Sequence, residues 1–525
     1  MALTTLTRRN ALAGMGLVAA AGIIRPHGAR AETSLTVVLE SEVVIFDPHF
    51  TTAAITRTFG YHIFDTLFAM DGKGEIQPQM VARYETSPDR LTWTFTLRDG
   101  LKWHDGAPVT AAECVASINR WAPRDAIGRM LRAATAAMAA KDDTTFSIAL
   151  KEPFPLMLQA LGKANAPLPV MMPMRFASTP GDQRITVPPV GSGPFRFRAD
   201  LWKSGNSMIL ERNPDYVPRA EPADFLAGGR AVKVDRLDLR VMPDQMTGAN
   251  ALIRGEIDYM QYLPFDALPL LRRARNVKLL SIGGIHQFQG NFRLTHASPP
   301  FDDPAVRRVL WKLVDQPSIL SAIGVPAEFH AAQCPSFWMC DAPLSSAAGA
   351  EAAGLDIAAA KAALKATSYA GEPVVILEVA GSISQTAAQV LAQNMKNAGF
   401  TVDEQTMDWG TVLARRVKKD GWSLFPVYSN GTDMISPLNH FYIASTCEDY
   451  PGWSCDARVP DLLKAFSRAE DQAGRKRIAE EIQKVAYELT PCVMWGQFTI
   501  PAGYRTNLSN LPQSSYPMFW DVERA

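Results

Sequence analysis

Leu91–Trp121, LTWTFTLRDGLKWHDGAPVTAAECVASINRW, carries the local signals that decide the fold of this 525-residue chain. Apolar and polar side chains alternate over its first seven residues, which predicts a strand with one buried face. Asp99-Gly100 tolerates the positive φ angles of a tight hairpin, and the alternation resumes at Leu101. Thr110 and Glu113 have the spacing of a capping box, which begins a helix. The stretch therefore predicts a strand, a hairpin, a second strand and a helix.

Periodic patterns elsewhere predict further helices and strands. Helical spacing of apolar residues occurs at 357–366, at 386–398 and at 461–489. Short β-branched and apolar runs at 35–39 and 374–379 predict strands. Because strands and helices alternate without repeats or low-complexity linkers, the chain is expected to be an α/β protein.

The first 31 residues have the pattern of an export signal. Arg8 and Arg9 resemble a twin-arginine motif, with ordinary secretion as the alternative route. The apolar stretch at 11–24 is too short to span a bilayer as a helix. Ala29-Arg30-Ala31 predicts cleavage after Ala31. No cysteine follows the apolar stretch at a lipid-attachment position, so the expected product is a periplasmic protein without a lipid anchor.

The charge balance excludes some partners. The chain has 53 basic and 53 acidic residues, and removal of the signal, with its four arginines, leaves a slightly acidic protein. Such a protein has no general attraction for nucleic acid or an anionic membrane surface. Its length exceeds what one hydrophobic core usually supports, so two or more domains are expected. No later stretch is long and apolar enough to cross a membrane.

Six cysteines in an exported chain indicate disulfide pairing. Cys447 and Cys455 flank a turn-rich segment, and Cys334 and Cys340 flank another short segment, so two small disulfide loops are predicted. A zinc site is the alternative, but the chain has no CxxC or HxxxH spacing to support it. The other two cysteines fall in apolar surroundings and are predicted to be buried thiols. We predict no metal site and no cofactor.

Several motifs resemble those of the family 5 extracellular solute-binding proteins, the dipeptide, oligopeptide and nickel receptors of ABC importers. The LRDGLKWHDGAPVTAAEC segment is similar to the family's strand, turn and helix signature. Six further motifs follow the family's order along the chain: Asp47-Pro48, Phe64–Leu67, Gly191–Phe195, Arg212–Tyr216, Leu252–Asp258 and Phe301–Arg307. Each motif alone is weak, but together in this order they are highly specific.

The resemblance implies an α/β chain with the two-lobed periplasmic binding protein fold of type II, in the large form with an extra subdomain in lobe I. Carried over to this sequence, lobe I would cover 32–284 and 491–525, and its extra subdomain would cover about 67–190. Lobe II would cover 285–490. Two crossing hinge segments would join the lobes at these boundaries.

The resemblance also points to a ligand-binding segment around Asp433. Asp433 matches the aspartate that pairs with the peptide α-ammonium in dipeptide receptors, and Tyr428, Asn430 and Thr432 precede it. A carboxylate suits this role because a buried ammonium without a counter-charge is very costly. The alternative is that Asp433 caps a helix or turn near Ser436-Pro437.

Two other regions are candidates for the ligand cleft. Trp409 follows a predicted strand, where an aromatic side chain packs against a ligand in some family members; membership of the core is the alternative. Phe46, Thr51 and Thr52 belong to the loop whose backbone pairs with an extended peptide in the family. The chain has no arginine near 380–384, where dipeptide receptors hold the ligand carboxylate.

The predicted function is that of a periplasmic substrate-binding protein of an ABC transporter. It would capture peptides by closing two lobes and deliver them to permease subunits and an ATPase. A nickel chelate, an amino-acid derivative or a glycoside is the alternative ligand. An exported hydrolase is the alternative class, and the acid pair Glu40 and Glu42 could serve one. However, the chain lacks the G-x-S-x-G, G-x-x-x-x-G-K and H-E-x-x-H motifs. We expect a monomer without enzymatic activity.

Overall fold

A computed structural model of the chain describes residues 33–438, 440, 442–443, 447 and 451–525. The predicted export signal, 1–31, lies outside the described residues. Within the described part, no helix combines the length and the apolar character needed to cross a membrane.

A seven-stranded sheet combines strands from both ends of the described chain. In spatial order its strands are Val277–Leu280, Ala502–Arg505, Tyr259–Met260, Ser34–Val38, Arg236–Arg240, Ser207–Arg212 and Phe195–Phe197. The central strand Ser34–Val38 runs parallel to both of its neighbours. The carboxyl ends of these three strands therefore meet at one edge, where open α/β sheets usually bind ligands. We call this the first sheet.

A five-stranded sheet is formed by the later part of the chain. In spatial order its strands are Val402–Met407, Val374–Val379, Leu424–Asn430, Phe288–Leu294 and Cys492–Phe498. Phe288–Leu294 pairs antiparallel with both neighbours, with Phe288 opposite Asn430 on one side. We call this the second sheet.

The second sheet corrects one predicted boundary. The sequence placed everything after residue 490 in the first lobe. The strand Cys492–Phe498 instead forms a backbone ladder with Phe288–Leu294, so it belongs to the second sheet. The chain returns to the first sheet only at Ala502.

A separate four-stranded antiparallel sheet contains the strand that begins the Leu91–Trp121 stretch. Its order is Val81–Thr86, Thr92–Leu97, Thr145–Leu150 and Thr135–Ala140. The predicted strand is confirmed, but its predicted hairpin partner is wrong, because Thr92–Leu97 pairs with Val81–Thr86 and Thr145–Leu150. Two two-stranded pairs complete the strands: Phe68–Met70 with Ile76–Pro78, and Leu508–Ser509 with Glu523–Arg524.

The segment after that strand turns instead of forming a hairpin. Gly100 and Gly106 adopt positive φ angles of 77° and 90° in successive turns. The predicted capping box is confirmed: the Thr110 side chain accepts from the Glu113 backbone N–H, and the Glu113 carboxylate accepts from the Thr110 backbone N–H. This helix also carries Arg120, which forms a buried ion pair with Asp47.

The α-helices of the described residues agree with most of the predicted periodicities. They are Ala54–Ile63, Ala111–Trp121, Ala126–Ala134, Met157–Gly162, Met174–Ala177, Gln245–Arg254, Leu268–Arg273, Pro304–Val309, Gln316–Ile323, Ile357–Lys365, Ile383–Ala398, Trp409–Arg416, Arg458–Arg468 and Gln472–Leu489. The predicted helix at 461–489 is two helices. The side chain of Asp471 accepts from the Gly474 backbone N–H at 2.6 Å and caps the second one, which ends the continuous pattern.

Four cysteines form two disulfides, Cys334–Cys340 and Cys447–Cys455. Cys114 and Cys492 are buried free thiols. Burial raises the pKa of both thiols, to about 12 for Cys492, so neither has a thiolate's reactivity at neutral pH.

Several of the motifs found in the sequence meet at the end of helix Ala54–Ile63. A Cβ on Gly191 would lie 2.0 Å from the Ile63 carbonyl oxygen, so only glycine allows this close approach. The Gly193 carbonyl oxygen accepts from Asn213 Nδ2 at 3.0 Å and lies 3.1 Å from His104 Nε2. These contacts fix the helix on the first sheet, and they give His104 a structural role.

Glu378 is a buried acid in the second sheet. Its side chain is 1% exposed, and its Oε2 accepts from Gln385 Nε2 at 3.1 Å and from Thr406 Oγ1 at 3.3 Å. Its Oε1 has no hydrogen-bond partner in the described structure. Burial and the nearby charge of Glu404 raise the pKa of Glu378 above its ordinary value. Lys396 offsets part of this charge, since its Nζ lies 2.6 Å from Glu404 Oε1.

We expect Glu378→Gln to stabilise the protein by about 1 kcal/mol at neutral pH. An acid with a raised pKa binds its proton more tightly in the folded state, so the wild type loses stability as the pH rises from the ordinary value through the raised one. The amide carries no charge and can donate to Glu404. Urea unfolding at pH 4 and pH 7.5 measures this, with the exposed Glu351→Gln as control. Equal stability of variant and wild type at both pH values would contradict the expectation.

Candidate ligand-binding site

A buried ion pair connects the elements of the two large sheets. Arg57 lies on helix Ala54–Ile63, which packs on the first sheet, and Asp433 lies in the turn that follows strand Leu424–Asn430 of the second. Arg57 Nη1 lies 2.6 Å from Asp433 Oδ1, and the two side chains are only 3% and 14% exposed. The Arg57 guanidinium also lies 4.1 Å from the centre of the Tyr516 ring. Interaction at this point is strong because little water screens it.

Burial opposes the charges of this pair, and the two partners act against that effect. Burial acts to lower the pKa of Arg57, but the charge of Asp433 and other nearby groups raises it above the ordinary value. Burial raises the pKa of Asp433, and the charge and hydrogen bond of Arg57 act against that rise. The Asp433 carboxylate therefore depends on Arg57 as its counter-charge.

A cavity of about 270 Å³ opens at the carboxyl edge of the first sheet. It lies between residues 38–42 and 241–245, with Met260 and Tyr262 in its wall. Glu40 is exposed to this space, directly after strand Ser34–Val38. Desolvation by the surrounding protein raises the pKa of Glu40, while the charge of Arg57 and a hydrogen bond from Tyr262 act to lower it. Glu40, Arg57 and Asp433 thus form one electrostatic group.

Aromatic rings from both sheets meet beside this group. The Phe288 ring packs edge-on against Tyr262 at 5.6 Å and against Tyr428 at 5.5 Å between ring centroids. Tyr262 comes from the first-sheet side and Tyr428 from the second sheet. Burial raises the pKa of both phenols, and the charge of Glu40 adds to the rise for each. Tyr262 lines the cavity together with Glu40.

The predicted residues near Asp433 lie together, but two of them bond within the protein. The Asn430 side-chain oxygen accepts from the Thr432 hydroxyl at 2.9 Å. The Thr432 hydroxyl is also hydrogen-bonded to the Tyr516 hydroxyl. Tyr428 is half-buried and packs edge-on against Phe288. The turn at Asp433 is therefore held by contacts with its own strand and with Tyr516.

The other predicted residues occupy different surroundings. Phe46 is 9% exposed and packs among the rings of Phe59, Phe197 and Trp202. The Thr51 hydroxyl accepts from the Ala53 backbone N–H just before helix Ala54–Ile63, and Thr52 is exposed.

Trp409 is 43% exposed at the start of helix Trp409–Arg416, where its ring contacts the Arg416 guanidinium at 5.4 Å. The structure thus places Phe46 in the core and Trp409 on an exposed surface. The ring contacts of Phe46 and Trp409 involve neither Arg57 nor Asp433.

Two exposed ion pairs connect the four-stranded sheet to the helices near the C-terminus. Arg90 Nη1 lies 3.1 Å from Glu470 Oε1, and Arg468 pairs with Glu152. All four side chains are about half exposed or more. Exposed pairs of this kind contribute little stability each, about 0–1 kcal/mol.

Arg57, Tyr262 and Tyr516 were not predicted as site residues. Arg57 is separated from Asp433 by 376 positions, and no local pattern joins them. The sequence gave one indirect indication, because it has no arginine near 380–384. In the structure, the cation of the site is Arg57, on helix Ala54–Ile63. In the described residues, no group of three or more His, Cys, Asp or Glu side chains is placed to hold a metal ion.

Comparisons with known proteins agree with this architecture. The sequence model of the family described as bacterial extracellular solute-binding proteins, family 5 Middle, matches residues 75–452. A probable peptide ABC transporter periplasmic-binding protein of Sinorhizobium fredii is 36% identical over 99% of this chain and 100% of the relative. The chain belongs to this family. A more distant member, the glutathione-binding protein of Escherichia coli K12, is 23% identical over 92% of both chains.

Solved structures of other family 5-like receptors share the fold. A periplasmic binding protein of Helicobacter pylori in complex with the peptide STSA has a TM-score of 0.78 and 20% identity, covering 94% of this chain and 98% of that one. A binding protein of Agrobacterium tumefaciens R10 in complex with agropinic acid has a TM-score of 0.78 and 22% identity, covering 94% and 99%. The predicted two-lobed fold is confirmed.

Membership of family 5 settles the class of function. These proteins bind peptides or other small ligands outside the cytoplasm and work with the permease and ATPase subunits of ABC importers. This family 5 protein is therefore an exported substrate-binding receptor. The family is a class of receptors and not of enzymes.

Proposed function

We propose that this solute-binding protein captures peptides between its lobes and delivers them to a membrane permease. The observation that carries the proposal is the Arg57–Asp433 ion pair, which is buried and takes one partner from each lobe. Such a contact forms only when the lobes are closed, so it favours the closed state. The 36% identity to a probable peptide ABC transporter protein supports peptides as the ligand class.

The two crossing segments are proposed as the hinge. Thr499 Oγ1 donates to the Ile282 carbonyl oxygen at 3.0 Å, and Gln287 Nε2 donates to Thr499 Oγ1 at 3.2 Å. These bonds tie the outgoing segment near 282–287 to the returning segment near 499–501. Rotation about these short segments would move the lobes without disturbing either sheet. On this proposal lobe II covers about 285–498, and the four-stranded sheet at 81–150 is the core of the extra subdomain.

Peptide capture is tested by identifying what the native protein carries. We expect the protein purified from its own periplasm and then denatured to release short peptides of mixed sequence, measurable by mass spectrometry. Added peptides should be recovered unchanged after long incubation with the protein. Release of a single non-peptide compound would contradict the peptide assignment, and cleavage of added peptides would favour the hydrolase class.

Localisation is proposed to be periplasmic, as a monomer whose signal is cleaved after Ala31. The twin-arginine pattern at Arg8-Arg9 and the family membership support this. The intact mass of the periplasmic protein should correspond to a chain beginning at Glu32, and its elution volume to one copy. A mature chain that begins elsewhere would contradict the cleavage site.

A further inference from the structure

The cleft contains two carboxylates near Arg57, and they differ in how far they are already satisfied. Asp433 has Arg57 as a direct partner at 2.6 Å. In the described residues, Glu40 takes part in no ion pair within 4.0 Å, although the charge of Arg57 reaches it. A ligand cation that approached Asp433 would have to displace a guanidinium. One that approached Glu40 would not.

Glu40 also has the space and the neighbours that an ammonium group needs. It is exposed to the cavity of about 270 Å³ at the carboxyl edge of the first sheet. Tyr262 of lobe I lines the same cavity, and Phe288 packs edge-on against both Tyr262 and Tyr428 of lobe II, with ring centroids 5.6 Å and 5.5 Å apart. A carboxylate binds an ammonium by charge and hydrogen bonding, and an aromatic ring in the same cavity wall can add cation–π attraction.

The neighbouring acid Glu42 lines the same cavity, but its carboxylate already has partners within the protein. Its Oε1 accepts from the Gly205 backbone N–H at 2.7 Å and from the Ser204 hydroxyl at 3.0 Å. The two acids lie two positions apart at the end of the same strand. Glu42 therefore holds a loop of lobe I, and it provides a matched control for Glu40.

We propose that Glu40, and not Asp433, receives the ammonium group of the ligand, with Tyr262 and Tyr428 closing around it from the two lobes. This inference rests on the proposed capture of peptides in the cleft and adds the chemistry of recognition to it. The ligand class is then peptides with a free N-terminal ammonium. The Arg57–Asp433 pair keeps its role as a contact between lobes.

The test compares a hydrolysate of short peptides with the same hydrolysate after N-acetylation. Retention by the protein is measured by ultrafiltration and mass spectrometry. We expect the wild type and Glu42→Gln to prefer the free peptides, and Glu40→Gln to lose at least about 30-fold in affinity for them. Glu40→Gln should bind acetylated peptides as the wild type does, because they lack the charge that Glu40 recognises. Glu40→Asp should keep part of the preference, and thermal unfolding should show that all variants fold.

Three results would count against these proposals in different ways. If Glu40→Gln keeps the preference for free peptides and Asp433→Asn loses it, Asp433 is the ammonium site, and peptide capture stands. If the wild type binds free and acetylated peptides equally, no ammonium site exists, and peptide capture again stands. If the wild type retains neither form, peptide capture itself is wrong, and the role of Glu40 falls with it.

Discussion

Asp433→Asn should weaken peptide binding by about 2–4 kcal/mol, because the closed state would then bury Arg57 without its counter-charge. The open state is less affected, since Arg57 is then free to reach water. The loss should be the same for free and N-acetylated peptides, unlike that of Glu40→Gln. Isothermal titration calorimetry measures the affinity, and Asp420→Asn, at an exposed position, is the control.

A double-mutant cycle isolates the pair. Arg57→Met removes the cation while keeping much of the side chain's apolar length, and Asp433→Asn removes the anion. We expect the double variant to bind peptide better than the sum of the two single losses predicts, because no unpaired charge remains buried. Additive losses would mean that the two residues act independently and that the ion pair does not control closure.

Asp47→Asn should lower the free energy of unfolding by about 3–5 kcal/mol. Asp47 forms a bidentate pair with Arg120, at 2.9 Å for Nη1–Oδ1 and 2.7 Å for Nη2–Oδ2, and the side chains are 0% and 1% exposed. The Ile185 backbone N–H donates to the same carboxylate at 2.9 Å. The substitution leaves the Arg120 charge buried without its counter-charge, because the other oxygen atoms that accept from its guanidinium are the neutral carbonyls of Thr179 and Gln183. The ionic attachment of helix Ala111–Trp121 to the loop after the first strand is lost.

The pH dependence of this variant has a defined sign. Burial acts to raise the pKa of Asp47, but the hydrogen bonds and charge of Arg120 and the Ile185 N–H outweigh it and lower the pKa below its ordinary value. An acid with a lowered pKa stabilises the folded state above the unfolded pKa, and this contribution disappears as the pH falls through the folded value.

The stability difference between wild type and Asp47→Asn should therefore shrink in acid. Urea unfolding between pH 7 and pH 3 measures it, with the exposed Asp182→Asn as control. A difference that stays constant, or a variant as stable as the wild type at pH 7, would contradict the assignment.

Features that depend on neighbouring residues were predicted from the sequence, whereas the candidate site joins residues that are far apart in the chain. The capping box at Thr110 and the end of the predicted helix at Ala398 each depend on a few neighbouring residues, and both occur in the structure as predicted. The hairpin at Asp99-Gly100 was wrong because an alternating strand shows which face is buried but not which strand lies beside it. The boundary at 490 was wrong because a turn signal there does not reveal that Cys492–Phe498 joins the second sheet.

The candidate site shows the same limit. Resemblance identified Asp433 as a charged residue of the cleft, but its partner Arg57 lies in a helix with no motif of its own. Glu40 was noticed as one of two acids at the end of a strand, and nothing in the sequence separated it from Glu42. The difference between them is a loop from 204–205 that bonds to one acid and not to the other.

The two exposed ion pairs outside the cleft, Arg90–Glu470 and Arg468–Glu152, have opposite polarity. Together they favour one relative position of the four-stranded sheet and the helices near the C-terminus. One side presents the cation Arg90 beside the anion Glu152, and the other presents Glu470 beside Arg468. If the two surfaces slid by one position, either Arg90 would face Arg468 or Glu152 would face Glu470, depending on the direction, so an attraction would become a repulsion. Each ion pair is too weak to hold the two surfaces together. The order of positive and negative charges nevertheless favours one alignment of the surfaces over the shifted ones. The four surface charges therefore affect where the two surfaces meet more than how strongly they hold together.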